Sequence, residues 1–175
     1  ATLGDTHPST LTSINNLGAL LQDQGDRAGA ALLYREALAA TRVTLGDTHP
    51  STLGSINNLG TLLQAQGDLV GAALLLREAL AANRATLGDT HPSTLTSINN
   101  LGALLQDQGD RAGAALLYRE ALAATRVTLG DTHPSTLGSI NNLGTLLQAQ
   151  GDLVGAALLL REALAANRAT LGDTH

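Results

Sequence analysis

The sequence predicts an all-α solenoid of four antiparallel helix pairs, and three observations carry that expectation. Residues 1–84 recur unchanged as residues 85–168, each half is itself two 42-residue units, and apolar side chains recur within each unit at helical spacing. A fixed period of about 20–50 residues marks an array in which each unit buries its apolar face only against its neighbours. The units are 1–42, 43–84, 85–126 and 127–168, and 169–175 opens a further one, all within a single array. Units 1–42 and 43–84 differ at eight positions: Ala1/Val43, Thr12/Gly54, Ala19/Thr61, Asp23/Ala65, Arg27/Leu69, Ala28/Val70, Tyr34/Leu76 and Thr41/Asn83.

The first helix of each unit is predicted to begin at Pro8 or its equivalent, because Pro suits the first helical position, where its missing N–H would lack a partner anyway. Leu11, Ile14, Leu17, Leu20 and Leu21 then fall on one half of a helical wheel, and Thr12, Asn15, Asn16, Ala19, Gln22 and Asp23 on the other. Gly18 in mid-helix costs about 1 kcal/mol relative to Ala. Its recurrence at 60, 102 and 144 is expected either from an approach too close for a side chain or from copying of one ancestral unit.

Gly25 supplies a left-handed stop and Asp26 the next N-cap, a turn short enough to force antiparallel packing. The second helix, expected from about Arg27 to Thr44, is apolar almost all round, with Arg35, Glu36 and Arg42 on a narrow polar strip. Such a helix is expected to be covered on several sides. Gly46, Asp47, Thr48 and His49 end it and lead to Pro50, which opens the next unit.

Composition narrows the function classes. There is no Cys, hence no disulfide framework and no thiol chemistry. Net charge is −5, every positive charge is an Arg, and the charges are scattered, so the basic stripe that nucleic acid or an anionic membrane would require is missing. No stretch reaches the roughly 18 apolar residues of a membrane span and no basic leader precedes an apolar run, so a soluble cytoplasmic protein is expected.

Within each unit the order Ile14, Leu17, Gly18, Leu21, Gly25, Ala30, Tyr34, Ala37, Leu38 resembles the tetratricopeptide repeat pattern at matching spacings. The 42-residue length, the longer second helix and the connector LGDTHPSTL followed by INNLG resemble the kinesin light chain type of that repeat. Three departures stand out: Leu21 where an aromatic is usual, Arg27 alternating with Leu69, and an extension to Gly46 in place of a helix-ending Pro. The last is what the longer subclass implies.

The resemblance implies a right-handed superhelix whose first helices line a concave groove for a partner's peptide or helix. Onto this sequence it projects Thr12, Asn15, Asn16 and Gln22, then Asn57, Asn58, Thr61 and Gln64 in the second unit. Asn99, Asn100 and Gln106 follow in the third, and Asn141, Asn142, Thr145 and Gln148 in the fourth. Each carboxamide carries a donor pair and an acceptor, so a ladder of Asn15, Asn57, Asn99 and Asn141 could satisfy a peptide's main-chain amides without reading its sequence. The alternative is that these Asn side chains keep the helix polar or bond between neighbouring units. Carboxylate-clamping relatives use Lys and Arg on these helices, and here the first helices have none, so tight binding of an acidic C-terminal peptide is not expected.

His7, His49, His91 and His133 recur in step and raise a metal reading. Helices are roughly 10 Å wide, so copies in successive hairpins stand too far apart to share an ion that needs ligands at about 2 Å. Capping or inter-unit hydrogen bonding is the expected role, with no metal and no cofactor. Ser9 and Ser13 lack a base and orienter, and no GxxxxGK[ST] or GxGxxG is present, so no enzyme is expected.

The last full unit keeps the interior apolar pattern of Leu153, Val154, Leu158, Leu160 and Leu164, and 169–175 repeat residues 1–7. That pattern is expected of an excerpt from a longer array, or of an engineered array with no dedicated ligand. It also raises head-to-tail self-association through uncapped ends.

Overall fold

A computed structural model of the chain describes residues 7–171. Among the described residues there are eight helices and no strand. Residues 172–175, most of the short copy of the N-terminal sequence, lie outside the described residues, while 169–171 complete the last helix. The chain divides into two units, Ala1–Thr86 and Leu87–His175.

The first unit holds α1 (Pro8–Asp23), α2 (Arg27–Leu45), α3 (Pro50–Ala65) and α4 (Leu69–Leu87). His7 caps α1 in extended backbone, its Nδ1 accepting from the Ser9 N–H at 3.2 Å. Gly25, at φ 85°, ends the helix. The Asp26 N–H then donates to Leu21 O at 2.9 Å and the Gly25 N–H to Gln22 O at 3.0 Å, which satisfies carbonyls that the helix end leaves free. Asp26 at once caps α2 by accepting from the Gly29 N–H at 2.9 Å.

The hairpin is antiparallel and close. A Cβ on Gly18 would lie 2.6 Å from Cε1 of Tyr34, and one on Gly29 would lie 3.0 Å from Cδ1 of Leu21. The recurring mid-helix glycine therefore marks a close approach: on Gly60 a Cβ would be 2.8 Å from Cδ2 of Leu76. Packing, and not copying alone, accounts for the residue.

α2 also packs on α3, which joins one hairpin to the next. Gly46, at φ 88°, turns the chain, and its carbonyl accepts from Thr52 Oγ1 at 2.7 Å. Both margins of this junction are tied. Arg42 pairs with Glu78 on α4 and, at 3.3 Å, with Asp47; Arg27 donates to Ala65 O at 3.0 Å, while Gln66 donates to Arg27 O at 2.9 Å.

The second unit builds the same arrangement from α5 (Pro92–Asp107), α6 (Arg111–Leu129), α7 (Pro134–Gln150) and α8 (Leu153–Leu171). Its core joins Ala114, Ala115, Tyr118 and Leu122 to Leu137, Ile140, Leu143, Leu146 and Leu147. Arg126 pairs with Glu162 and with Asp131, repeating the tie across α6 and α8.

As expected, α2 and α6 are each covered by two helices, α1 with α3 and α5 with α7, though not all round. α1 and α3 cover α2, yet neither reaches Leu32, which is 67% exposed; Leu74 and Leu116 at the same position are 68% and 67% exposed. An apolar sequence all round the helix did not require burial all round, because isolated exposed leucines are ordinary on protein surfaces.

Candidate functional site

The sequence-predicted groove residues all stand on α1, α3, α5 and α7. In the first unit Thr12 and Asn16 are exposed, and Asn15, Gln22, Asn57, Asn58, Thr61 and Gln64 are half-buried. In the second, Asn99, Asn100 and Gln106 are half-buried, and Asn141, Asn142, Thr145 and Gln148 are exposed. None of these helices carries a Lys or Arg.

Where α1 meets α3 the surface opens into a cleft of about 210 Å³, lined by Thr12, Asn15 and Asn16 from one side and Gly54, Ser55 and Asn58 from the other. Thr41 and Leu45 from α2 also line it. The equivalent cleft of the second unit, about 450 Å³, lies between α5 and α7 and includes Asn99, Gly138, Ser139 and Asn142. The clefts thus gather Asn15, Asn16 and Asn58, and Asn99 and Asn142. They do not include Gln22, Asn57, Thr61, Gln64, Asn100, Gln106, Asn141, Thr145 or Gln148.

Several of these side chains already have partners. Asn15 Nδ2 donates to Leu11 O at 3.1 Å and to Ser55 Oγ at 3.2 Å, a bond from one unit to the next. Asn57 Nδ2 donates to Leu53 O at 3.0 Å, and Thr61 Oγ1 lies 3.0 Å from both Asn57 O and Asn58 O. In the second unit, by contrast, the Oδ1 of Asn99 is buried and accepts no hydrogen bond. A buried oxygen without a donor is unfavourable unless something supplies one.

Sequence reasoning missed Gly54 and Gly138, which open the clefts, and Thr41 and Thr125, which help to line them. The signal was present in the Thr12/Gly54 difference. A Cβ on Gly54 or Gly138 would meet nothing within 4 Å, so these glycines make space and leave it empty of protein.

The recurring histidines are N-caps. Nδ1 of His49, His91 and His133 accepts from the N–H of Ser51, Ser93 and Ser135, each at 3.1 Å. Among the described residues no three His, Cys, Asp or Glu side chains come together as an ion would require. Ser13 and Ser55 spend their hydroxyls on carbonyls four residues back, at 3.0 and 3.2 Å. Tyr34 and Tyr118, packed on Gly18 and Gly102, are held protonated above the usual phenol range by burial first, and then by the nearby Asp23 and Asp107. No helix among the described residues is long and apolar enough to cross a membrane.

Models of the tetratricopeptide repeat match residues 51–126 in one form, and residues 10–51 and 136–175 in another. Among solved structures, the chain is similar to the nearly identical TPR-like repeats of kinesin light chain type from Podosopora anserina. Identity is 34% and TM-score 0.80, over 97% of this chain and 80% of that one. A form of that protein with one residue substituted aligns at 32% identity and TM-score 0.84, with the same coverage. BtubC (BKLC) from P. vanneervenii shares the fold at 23% identity and TM-score 0.83, over 95% of this chain and 66% of its own. Among curated proteins none matches the chain.

Proposed function

The chain belongs to the tetratricopeptide repeat family, in its kinesin light chain-like form, and we propose that it is a non-catalytic scaffold that holds an extended peptide or partner helix against its first helices. Repeats of this family serve protein–protein interaction in general. The single observation that favours this surface is the pair of uncharged clefts between first helices, rimmed by Asn15, Asn16 and Asn58 in one unit and Asn99 and Asn142 in the other. Carboxamides offer a main-chain amide both a donor and an acceptor.

Not every rung of the Asn ladder is equally free. Asn15 is engaged by Ser55 and Leu11, so Asn16 and Asn58 are the better candidates in the first unit. The test is a panel of extended peptides titrated against the chain and an Asn16→Ala/Asn58→Ala variant. Weaker binding by the variant is expected, and unchanged affinity would overturn the assignment. The absence of Lys and Arg on these helices also predicts that a peptide with an acidic C-terminus binds poorly; low-micromolar affinity for one would contradict that.

A second reading has its own observation. Leu17 and Leu20 of α1 are 48% and 52% exposed, whereas Leu101 and Leu104, in an identical stretch of sequence, are 6% and 0% exposed. A second copy of the chain could cover them, continuing the array between molecules. Sedimentation at rising concentration tests this, and a strictly monomeric species at high micromolar levels would exclude it.

A further inference from the structure

We propose that the clefts opened by Gly54 and Gly138 are side-chain subsites, each accepting one carboxamide side chain, Asn or Gln, from an extended peptide. This rests on the reading of the first helices as a peptide groove, and adds to it what the groove selects and where. The register is the first clue. The position holds Thr12 and Thr96 on α1 and α5, but Gly54 and Gly138 on α3 and α7, so every second first helix lacks a side chain there. Empty space surrounds the missing Cβ in both copies. No turn or positive φ requires glycine at either position, and glycine in a helix interior is unfavourable.

Size and lining define the occupant. An apolar cavity of about 150 Å³ accommodates benzene, so clefts of about 210 and 450 Å³ admit a side chain of several heavy atoms. Leu11 and Leu45, or Leu95 and Leu129, offer apolar contact to its stem, and Asn, Ser and Thr offer polar contact to its end. No Lys, Arg, Asp or Glu lines either cleft, and His133, at the second, uses Nδ1 as an acceptor in its cap. A carboxylate would enter without a cation, and an ammonium without an anion, both costly to desolvate.

The rim carboxamides, Asn16 and Asn58 at the first cleft and Asn142 at the second, choose among the remaining neutral classes. Each carries donors and an acceptor, which a purely apolar side chain would leave unmatched, whereas an incoming carboxamide offers an acceptor and a donor pair in return.

The experiment uses the ¹⁵N-labelled 175-residue chain and four capped heptapeptides, Ser-Gly-Ser-X-Ser-Gly-Ser, with X as Gln, Leu, Glu or Lys. The Gln peptide is expected to shift the Gly54 and Gly138 amide resonances, and to bind about tenfold tighter than the others, as hydrogen-bonding sites discriminate. Gly54→Leu with Gly138→Leu should abolish that preference without lowering Tm, since the new side chains enter open space on a helix. Gly54→Thr with Gly138→Thr, restoring the residue found on α1 and α5, is the milder filling variant. Binding that is indifferent to X, or undiminished in both filled variants, would overturn the subsites and leave the groove standing. If no peptide shifts any first-helix amide, subsites and groove fall together.

Discussion

Gly102 and Gly138 both stand inside helices, α5 and α7, but in opposite surroundings. A Cβ on Gly102 would lie 2.6 Å from the ring of Tyr118, whereas on Gly138 it would touch nothing within 4 Å. Overpacking costs about 1–3 kcal/mol, and replacing a helical Gly by Ala returns about 1 kcal/mol. Gly102→Ala is therefore expected to destabilise by roughly 1 kcal/mol, and Gly138→Ala to stabilise by up to about 1 kcal/mol. Urea titrations of the two variants read the difference, and equal shifts of the same sign would refute it. The two tyrosines couple stability to pH. Burial, then Asp23 and Asp107, raise the phenol pKa of Tyr34 and Tyr118 in the folded chain, so the unfolded chain ionises first as pH rises. Their contribution to stability is complete below the ordinary phenol value of 10.0 and is lost as pH climbs through the raised one. The chain has neither Lys nor Cys to titrate in that window. The urea midpoint should hold steady up to the ordinary phenol value of 10.0 and fall as pH rises beyond it, and Tyr34→Phe with Tyr118→Phe should remove most of the fall.

At the scale of the element, helix starts and stops were legible because they depend on local chemistry. Pro8, Pro50, Pro92 and Pro134 open the first helices, and Gly25 and Gly46 turn the chain at positive φ. The second helix, expected to close at Thr44, closes at Leu45. His49 is the less usual device, a cap whose acceptor is an imidazole nitrogen. His49→Ala is expected to cost about 0.5–2 kcal/mol, and His49→Asp, which keeps an acceptor, much less; thermal melts of the pair check this. Legibility failed where outcome depended on neighbours. Leu32 and Leu38 look alike in the sequence, yet one is 67% and the other 6% exposed, since only the latter faces packed helices. The Asn residues were legible as polar, but their bonding was not: whether Asn15 offers its amide outward depends on Ser55, forty residues on. The Thr12/Gly54 alternation was legible only as a difference between units, because only the folded chain reveals that the vacant position borders a cleft.

For the whole molecule the repeat period was sufficient to foresee an all-α repeat solenoid, because each unit's apolar surface has a use only against the next. Its internal identity carries a further consequence. The surface of α2 that receives α3 recurs on α6, which receives α7, and the paired sequences are the same over 84 residues. Chemically, α2 would accept α7 as readily as α3. What enforces the native choice is tether length: residues 46–49 span at most roughly 14 Å, so the adjacent helix reaches its seat before any distant twin can. Lengthening that connector with a flexible Gly-Ser insert of about a dozen residues should release the constraint and produce intertwined dimers by exchange of hairpins. Size-exclusion chromatography with light scattering would reveal them, and a wholly monomeric insert variant would count against it. Fidelity of assembly here is a matter of leash and not of lock: a chain whose bricks are interchangeable must rely on its shortest loops to keep them in order.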